Sequence, residues 1–168
     1  MAEIRASRRL TSGSTVTVFP PLRGYKSARV PGVRGQGGMS SFKRGTSFPN
    51  EGFIQAAIEA HFLRLGFVQE SHAATDYIGT HPQTKERWAI EAKGQTTAIG
   101  LDFRTGLGQL VQRMDSKDTN YGIAFPDIPQ FQNQVAQLAP WVCEALGIHW
   151  LAVSSSGDIV ITNPSGKL

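Results

Sequence analysis

The stretch "ERWAIEAKG", residues 86–94, decides how the rest of the chain is interpreted. Apolar and polar side chains alternate along it, as in a β-strand whose successive side chains point to opposite faces of a sheet. The alternation predicts Trp88, Ile90 and Ala92 on one face. On the other face it places Arg87, Ala89, Glu91 and Lys93. One face of this strand therefore ends in a carboxylate and an ammonium two residues apart, which suits either a surface ion pair or a functional site.

The segments before this strand predict a helix and a hairpin. "NEGFIQAAIEAHFLRLGF", residues 50–67, repeats apolar residues at helical spacing, with Asn50 as the N-cap and Gly66 as the end. "ATDYIG", residues 74–79, is typical of a strand, and "HPQT", residues 81–84, of a turn.

The segments after it alternate helices and strands. A helix is predicted from about Asp102, a buried strand at residues 121–125, and a helical segment at 131–147 that breaks at Pro140. "IHWLAVS" and "DIVITN" predict a closing strand pair across the turn "SSSG". The order α-β-β-α-β-α-β-β predicts one α/β domain over residues 49–168, with an αββαβ core, a mixed sheet, and a C-terminal helix and strand pair.

Composition excludes several classes of protein. The chain has 168 residues, 40% of them hydrophobic, which is enough for one domain with a core. Its one cysteine, Cys143, permits no intrachain disulfide and suits a reducing, cytoplasmic compartment. No apolar run approaches the roughly 20 residues of a membrane span, and no apolar segment follows the N-terminal arginines as in a secretory signal. We therefore expect no membrane partner.

Charge divides the chain into two parts. Residues 1–50 hold nine basic residues and one acid, whereas residues 51–168 hold eight basic residues and twelve acids. Residues 1–48 are rich in Gly and Ser and lack periodicity, which predicts a flexible basic arm. Such an arm is equally typical of a solvated tail and of a tether for a polyanion. Met39 is an alternative start of the protein.

A second carboxylate, Asp76, lies on the strand before Glu91. If a loop of two or four residues around "HPQT" closes the hairpin, the numbers of any two facing residues add up to 165. Asp76 then lies opposite Ala89, on the same face of the sheet as Glu91. A loop of three residues would put Asp76 on the other face. Two carboxylates at so short a distance repel each other, and a divalent cation between them would remove the repulsion. Such oxygen ligands suit Mg²⁺ or Mn²⁺, while the four histidines show no metal-ligand spacing.

The combination of "TD", a short loop and "IEAK" resembles the PD-(D/E)xK nuclease superfamily, in its Mrr-like, resolvase-like and RecB-like branches. The resemblance covers about residues 50–125 and implies a restriction-endonuclease-like fold. It implies that Asp76 and Glu91 bind the metal, with the carbonyl of Ala92 as a further ligand. It also implies that Lys93 orients the attacking water or stabilises developing negative charge. Thr75 departs from the pattern, since the family's name-giving proline precedes the aspartate.

Two further catalytic residues come from neighbouring helices by the same resemblance. The first helix often supplies another acid, and Glu51 is preferred over Glu59. The helix after the E-x-K strand supplies a glutamine, for which Gln109 is preferred and Gln112 is the alternative.

The resemblance implies an Mg²⁺-dependent deoxyribonuclease, most simply an endonuclease, that acts on DNA and needs no nucleotide cofactor. A homodimer is a reasonable expectation, because a duplex cutter needs two sites. Two other functions stay open: a nucleic-acid-binding module of the same fold without catalysis, and a structural or interaction protein. In either of these, Glu91 and Lys93 form an ordinary structural ion pair.

Overall fold

The computed structural model describes residues 45–71 and 75–164. The predicted arm, residues 1–48, lies outside this part of the chain except for residues 45–48. The elements follow in chain order as α1 (Glu51–Arg64), β1 (Val68–Gln69), β2 (Tyr77–Thr80), β3 (Arg87–Ala92), α2 (Ile99–Gln112), β4 (Thr119–Pro126), α3 (Pro129–Val135), α4 (Pro140–Leu146), β5 (Ile148–Val153) and β6 (Ile159–Thr162).

The six strands form one mixed sheet in the order β1-β2-β3-β4-β5-β6. The central strands β3, β4 and β5 run parallel, because helices connect β3 to β4 and β4 to β5. The outer pairs β1–β2, β2–β3 and β5–β6 are antiparallel. The carboxyl ends of β3, β4 and β5 therefore share one edge of the sheet with the beginning of β2. The predicted α/β class with a mixed sheet is confirmed.

Helix α1 covers one face of the sheet. Its residues Ile54, Ile58 and Phe62 are buried against Trp88 and Ile90 of β3. The Phe62 ring stacks on Tyr77 with centroids 5.0 Å apart. The helix begins after Asn50, as predicted, although the Asn50 side chain donates to Ser47 Oγ at 3.2 Å instead of capping the helix. It ends before Gly66, whose φ of +88° favours glycine.

Helices α2, α3 and α4 contribute to a second core on the opposite face. Ala89 and Ile123 of the sheet pack there with Phe103, Phe131 and Cys143 of the three helices. Trp88, Ile90 and Ala92 belong to the α1 side and Ala89 to the other, so the predicted faces of β3 are confirmed. The break at Pro140 is also confirmed, since α3 and α4 are separate helices.

The predicted hairpin register is wrong by two residues. Tyr77 pairs with Ile90, so facing residues have numbers that sum to 167 and not 165. The loop does have four residues, but it spans residues 82–85, because the amide of His81 still donates to the Glu86 carbonyl at 2.8 Å. His81 Nδ1 accepts from the amides of Gln83 and Thr84, which holds the turn one residue later than "HPQT".

Several element boundaries also differ from the predictions. Helix α2 begins at Ile99, three residues before Asp102, because Thr96 accepts the Ala98 amide at 3.1 Å and donates to the Asp102 carboxylate, which orders the first turn. Strand β2 begins at Tyr77, so Asp76 immediately precedes it. Strand β1 has only two residues, too few for a period-2 pattern, and was not predicted. In the part of the chain that the structure describes, no helix has the length and apolarity needed to cross a membrane.

Candidate active site

The E-x-K strand ends where α1 begins. Gly94 follows this strand so closely beneath the helix that a Cβ there would overlap the backbone of Glu51. The amide of Gln95 donates to the Pro49 carbonyl at 2.9 Å and joins the two segments. Glycine is therefore required at residue 94 by close packing of two backbones. This contact brings the first turn of α1 to the end of β3.

Asp76 lies beside the peptide that follows Glu91. Its Oδ2 accepts the amide of Ala92 at 2.9 Å. The Asp76 carbonyl accepts from Gln55 Nε2 at 3.2 Å, which ties the start of β2 to α1. Continued by one residue, the observed register sets Asp76 directly opposite Glu91, whereas the predicted register set it opposite Ala89. The two residues therefore lie on the same face at the same end of the hairpin.

Glu91 is almost completely buried, with a relative exposure of 2%. A buried carboxylate is costly without cationic partners, and Glu91 has two of them. Its Oε2 lies 3.6 Å from Lys93 Nζ, and its Oε1 forms an ion pair with the Arg113 guanidinium. These two side chains compensate the charge of Glu91, while the predicted metal ion stays a prediction.

Lys93 is held by three features of its surroundings. Its Nζ lies 3.6 Å from Glu91 Oε2 and donates to Gln109 Oε1 at 3.2 Å. Its side chain crosses α2 at Gly106, where an added Cβ would lie 2.4 Å from Lys93 Cε. The glycine in the helix leaves room for the lysine. The structure thus brings together the two residues that were predicted to act with Lys93.

The choice between the two candidate glutamines is decided by geometry. Gln109 is half-buried and bonds Lys93, whereas Gln112 is exposed on the same helix. The two side chains lie three residues apart on α2, about 60° apart around the helix axis. The bond from Lys93 to Gln109 and the exposure of Gln112 distinguish them.

The two candidate acids, Glu51 and Glu59, lie at different positions along α1. The backbone of Glu51 touches Gly94 at the end of β3. Glu59 lies two turns further along α1, close to the Tyr77 phenol. Burial, with the charges of Glu59 and Glu70 as lesser causes, raises the pKa of Tyr77 to about 12. The backbone of Glu51 lies at the end of β3, and Glu51 stays the preferred acid.

Arg113 is a site residue that the sequence analysis missed. It caps the C-terminus of α2, and its side chain is 27% exposed. A signal was present, because Gly106, Gln109 and Arg113 follow each other at spacings of three and four, which aligns them on one helical face. What concealed this residue is that an arginine at a helix end is ordinarily interpreted as a solvated charge that favours the helix dipole.

The donor chemistry of the cluster fits a magnesium or manganese ion. The Asp76 carboxylate lies at the Ala92 amide, one residue after Glu91, and Mg²⁺ is commonly held by one or two carboxylates together with water and substrate phosphate. Within residues 45–71 and 75–164, no three His, Cys, Asp or Glu side chains are grouped to hold a metal. A site here would therefore be an open one that substrate completes.

Comparison of the chain with family models, with curated proteins and with solved structures finds no match.

Proposed function

We propose that the protein is a metal-dependent nuclease that hydrolyses DNA phosphodiester bonds, most simply as an endonuclease of the PD-(D/E)xK type. The observation that carries the proposal is the hydrogen bond between the Asp76 carboxylate and the Ala92 amide. It joins the Asp76 carboxylate to the peptide between Glu91 and Lys93. None of the three charged side chains, Asp76, Glu91 and Lys93, belongs to either core cluster.

The side chains have distinct roles in this proposal. Asp76 and Glu91, with the Ala92 carbonyl, would hold Mg²⁺ or Mn²⁺, which supplies an acidified water and charge neutralisation at the phosphate. Lys93 is fixed by Gln109 where negative charge develops in the transition state. Glu51, at the start of α1, adds a further acid at the same edge.

The sequence indicates how the protein would bind DNA and in which compartment it would act. The basic residues of the N-terminal segment would bind the DNA backbone. A duplex cutter needs two active sites, so we propose a homodimer. The single cysteine, Cys143, is consistent with a reducing cytoplasm.

A second candidate function is a nucleic-acid-binding module without catalysis. The observation that favours it is the balance of charge within the cluster: Lys93 and Arg113 already compensate Glu91. Such a cluster can serve only to hold β3 against α2. Cleavage experiments distinguish this function from the first.

The test is cleavage of supercoiled plasmid by Glu91→Gln and Lys93→Ala, in Mg²⁺, in Mn²⁺ and in EDTA. A nuclease requires cleavage by the wild type that EDTA stops, and a loss of roughly 100-fold or more in either variant. Glu144→Gln and Lys117→Ala are the matched controls, since both residues are exposed and neither contacts the cluster. Both controls should cleave like the wild type.

Binding of the same DNA is measured alongside cleavage. The nuclease variants should retain binding, because most phosphate contacts lie elsewhere. Four-way-junction, linear and single-stranded DNA replace the plasmid in parallel reactions to identify the preferred substrate. DNA binding by a wild type that cleaves none of these substrates with either metal would favour the binding module.

A further inference from the structure

Arg113 occupies the position at Glu91 that a metal ion would have to take. Both carboxylate oxygens of Glu91 face a cation, Oε1 the guanidinium of Arg113 and Oε2 the ammonium of Lys93 at 3.6 Å. A divalent ion that approached either oxygen would meet a positive charge. The metal-free arrangement therefore opposes metal binding unless one of the two cations moves.

Of the two cations, Arg113 is the one able to move. The Lys93 side chain is 13% exposed, bonds Gln109 and lies against α2 at Gly106. The Arg113 side chain is 27% exposed and follows the last residue of α2, where the helix ends. Rotation of the arginine into solvent leaves the packing of the helix intact, whereas displacement of the lysine disrupts its bond to Gln109.

We propose that Arg113 is an exchangeable counter-ion of Glu91, an inference that rests on the proposed function. The arginine holds Glu91 in the metal-free protein, leaves when a divalent cation binds, and then contacts a phosphate of the nucleic acid. A guanidinium suits both positions, because its planar array of donors pairs with a carboxylate and with a phosphate in the same geometry.

The balance of charge supports the exchange. Without metal, the two carboxylates Asp76 and Glu91 are matched by the two cations Lys93 and Arg113. A divalent ion adds two positive charges to this neutral cluster. Departure of Arg113 removes one of them, and the incoming phosphodiester neutralises the other. Metal and substrate should then strengthen each other's binding, because the metal displaces Arg113 and a phosphate of the substrate binds it.

The test of displacement is a calorimetric titration with Mn²⁺ in the absence of DNA. We compare the wild type with Arg113→Ala and with Arg113→Gln, a second variant that keeps most of the side-chain length in case the first folds poorly. Removing the competing cation should tighten Mn²⁺ binding by about tenfold or more, since breaking a partly buried ion pair corresponds to at least one factor of ten. Thermal melts should show a larger upward shift with Mn²⁺ in the variants than in the wild type.

Arg104→Ala is the matched control for net charge. Arg104 lies on the same helix, nine residues earlier and therefore on the opposite side, and is exposed. Its removal should leave Mn²⁺ affinity within about twofold of the wild type, because surface charges are screened by salt. An equal gain in affinity for both arginine variants would overturn the exchange and show a general effect of charge.

The outcomes separate this inference from the proposed function. If the wild type binds Mn²⁺ and Arg113→Ala binds it equally or more weakly, the counter-ion role is overturned while the metal site stands. If neither protein binds Mn²⁺ without DNA, the exchange is overturned, whereas the proposed function is decided by the cleavage reactions, in which DNA is present to complete the site. If only the variant binds Mn²⁺, the exchange is supported in its strongest form.

The phosphate contact is tested with Lys93 in place, because without it a metal ion could reach Glu91 and leave Arg113 where it is. Phosphorothioate linkages slow the cleavage of the DNA during the measurement. Binding of a short duplex is measured by fluorescence anisotropy in Mn²⁺ and in EDTA, with and without Arg113→Ala. Mn²⁺ should strengthen DNA binding several-fold when Arg113 is present and by a smaller factor when it is absent. An equal gain with and without the arginine would overturn the phosphate contact.

Discussion

At the scale of single residues, the site depends on two glycines as much as on its charges. Gly94 lets the end of β3 pass beneath the first turn of α1, and Gly106 lets Lys93 cross α2. A glycine inside a helix lowers its stability by about 1 kcal/mol relative to alanine. At Gly106 the helix loses this stability, and the missing side chain leaves room for Lys93 to cross α2.

Gly106→Ala should therefore impair the proposed catalysis without destabilising the protein. The added Cβ would lie 2.4 Å from Lys93 Cε, the far part of a flexible side chain, so the lysine moves and the backbone does not. The helix gains up to about 1 kcal/mol in propensity. We expect kcat to fall by about tenfold or more, since displacing a catalytic group by about 1 Å costs on that order, with KM little changed.

The matched control is Gly108→Ala, two residues along the same helix. A Cβ at Gly108 meets no other atom within 4 Å. Its melting temperature should rise by the same gain in helix propensity, while steady-state cleavage kinetics stay at the wild-type level. Equal kcat values for the two alanine variants would show that Gly106 does not position Lys93.

At the scale of elements, α1 does more than cover the sheet. It supplies Glu51 at the site, the bond from Gln55 to the Asp76 carbonyl, and a buried histidine, His61. The four histidines show no metal-ligand spacing, and His61 is a core residue at 2% exposure. Burial, with the nearby Arg64 as a lesser cause, lowers the pKa of His61 to about 4.

The docking of α1 should therefore weaken in acid. An unfolded histidine binds a proton near pH 6.5, whereas folded His61 does so near pH 4, so between these values the unfolded chain holds more protons. The free energy of unfolding should keep this contribution above pH 6.5 and lose up to about 3 kcal/mol of it by pH 4.

Urea unfolding of the wild type and of His61→Gln, from pH 7 to pH 4, measures this contribution. Acidic groups and His149, whose pKa burial also lowers, titrate in both proteins, so the difference between the two curves isolates His61. The stability advantage of the wild type over the variant should shrink as the pH falls through the window. A constant difference across the whole range would contradict a neutral buried His61.

At the scale of the whole molecule, positive charge is concentrated in the N-terminal part of the chain. The two core clusters draw on residues from Phe53 to Ile161. Residues 1–38 carry seven basic residues and a single acid. Nucleic-acid affinity and folding stability should therefore respond separately to truncation.

Deletion of residues 1–38 should weaken DNA binding and flatten its dependence on salt. For each phosphate that the shortened protein no longer neutralises, the slope of log K against log[salt] should fall in magnitude by about 0.9. The melting temperature should stay within a few degrees of the full chain, because the removed segment lacks a periodic apolar face. Anisotropy titrations at several salt concentrations and thermal melts make the comparison. A large drop in melting temperature would show that the segment packs on the domain.

The sequence alone determined the α/β class, the faces of β3 and the limits of α1. These features follow from local geometry: a strand repeats every two residues, a helix every 3.6, and a glycine at positive φ ends a helix. The break at Pro140 is local in the same sense. The shared face of Asp76 and Glu91 was also predictable, because a register shift of two residues preserves the face.

The tertiary structure decided which residues of different elements contact each other. The hairpin register depends on His81 accepting two amides within its own loop. The pairing of Glu91 with Arg113 depends on how α2 packs across β3, 22 positions later in the chain. The sequence pattern places a residue on a face of its own element, but the neighbour it meets is selected by long-range packing. For that reason Glu91 and Lys93 were predictable as a pair, and the second cation that neutralises Glu91 was not.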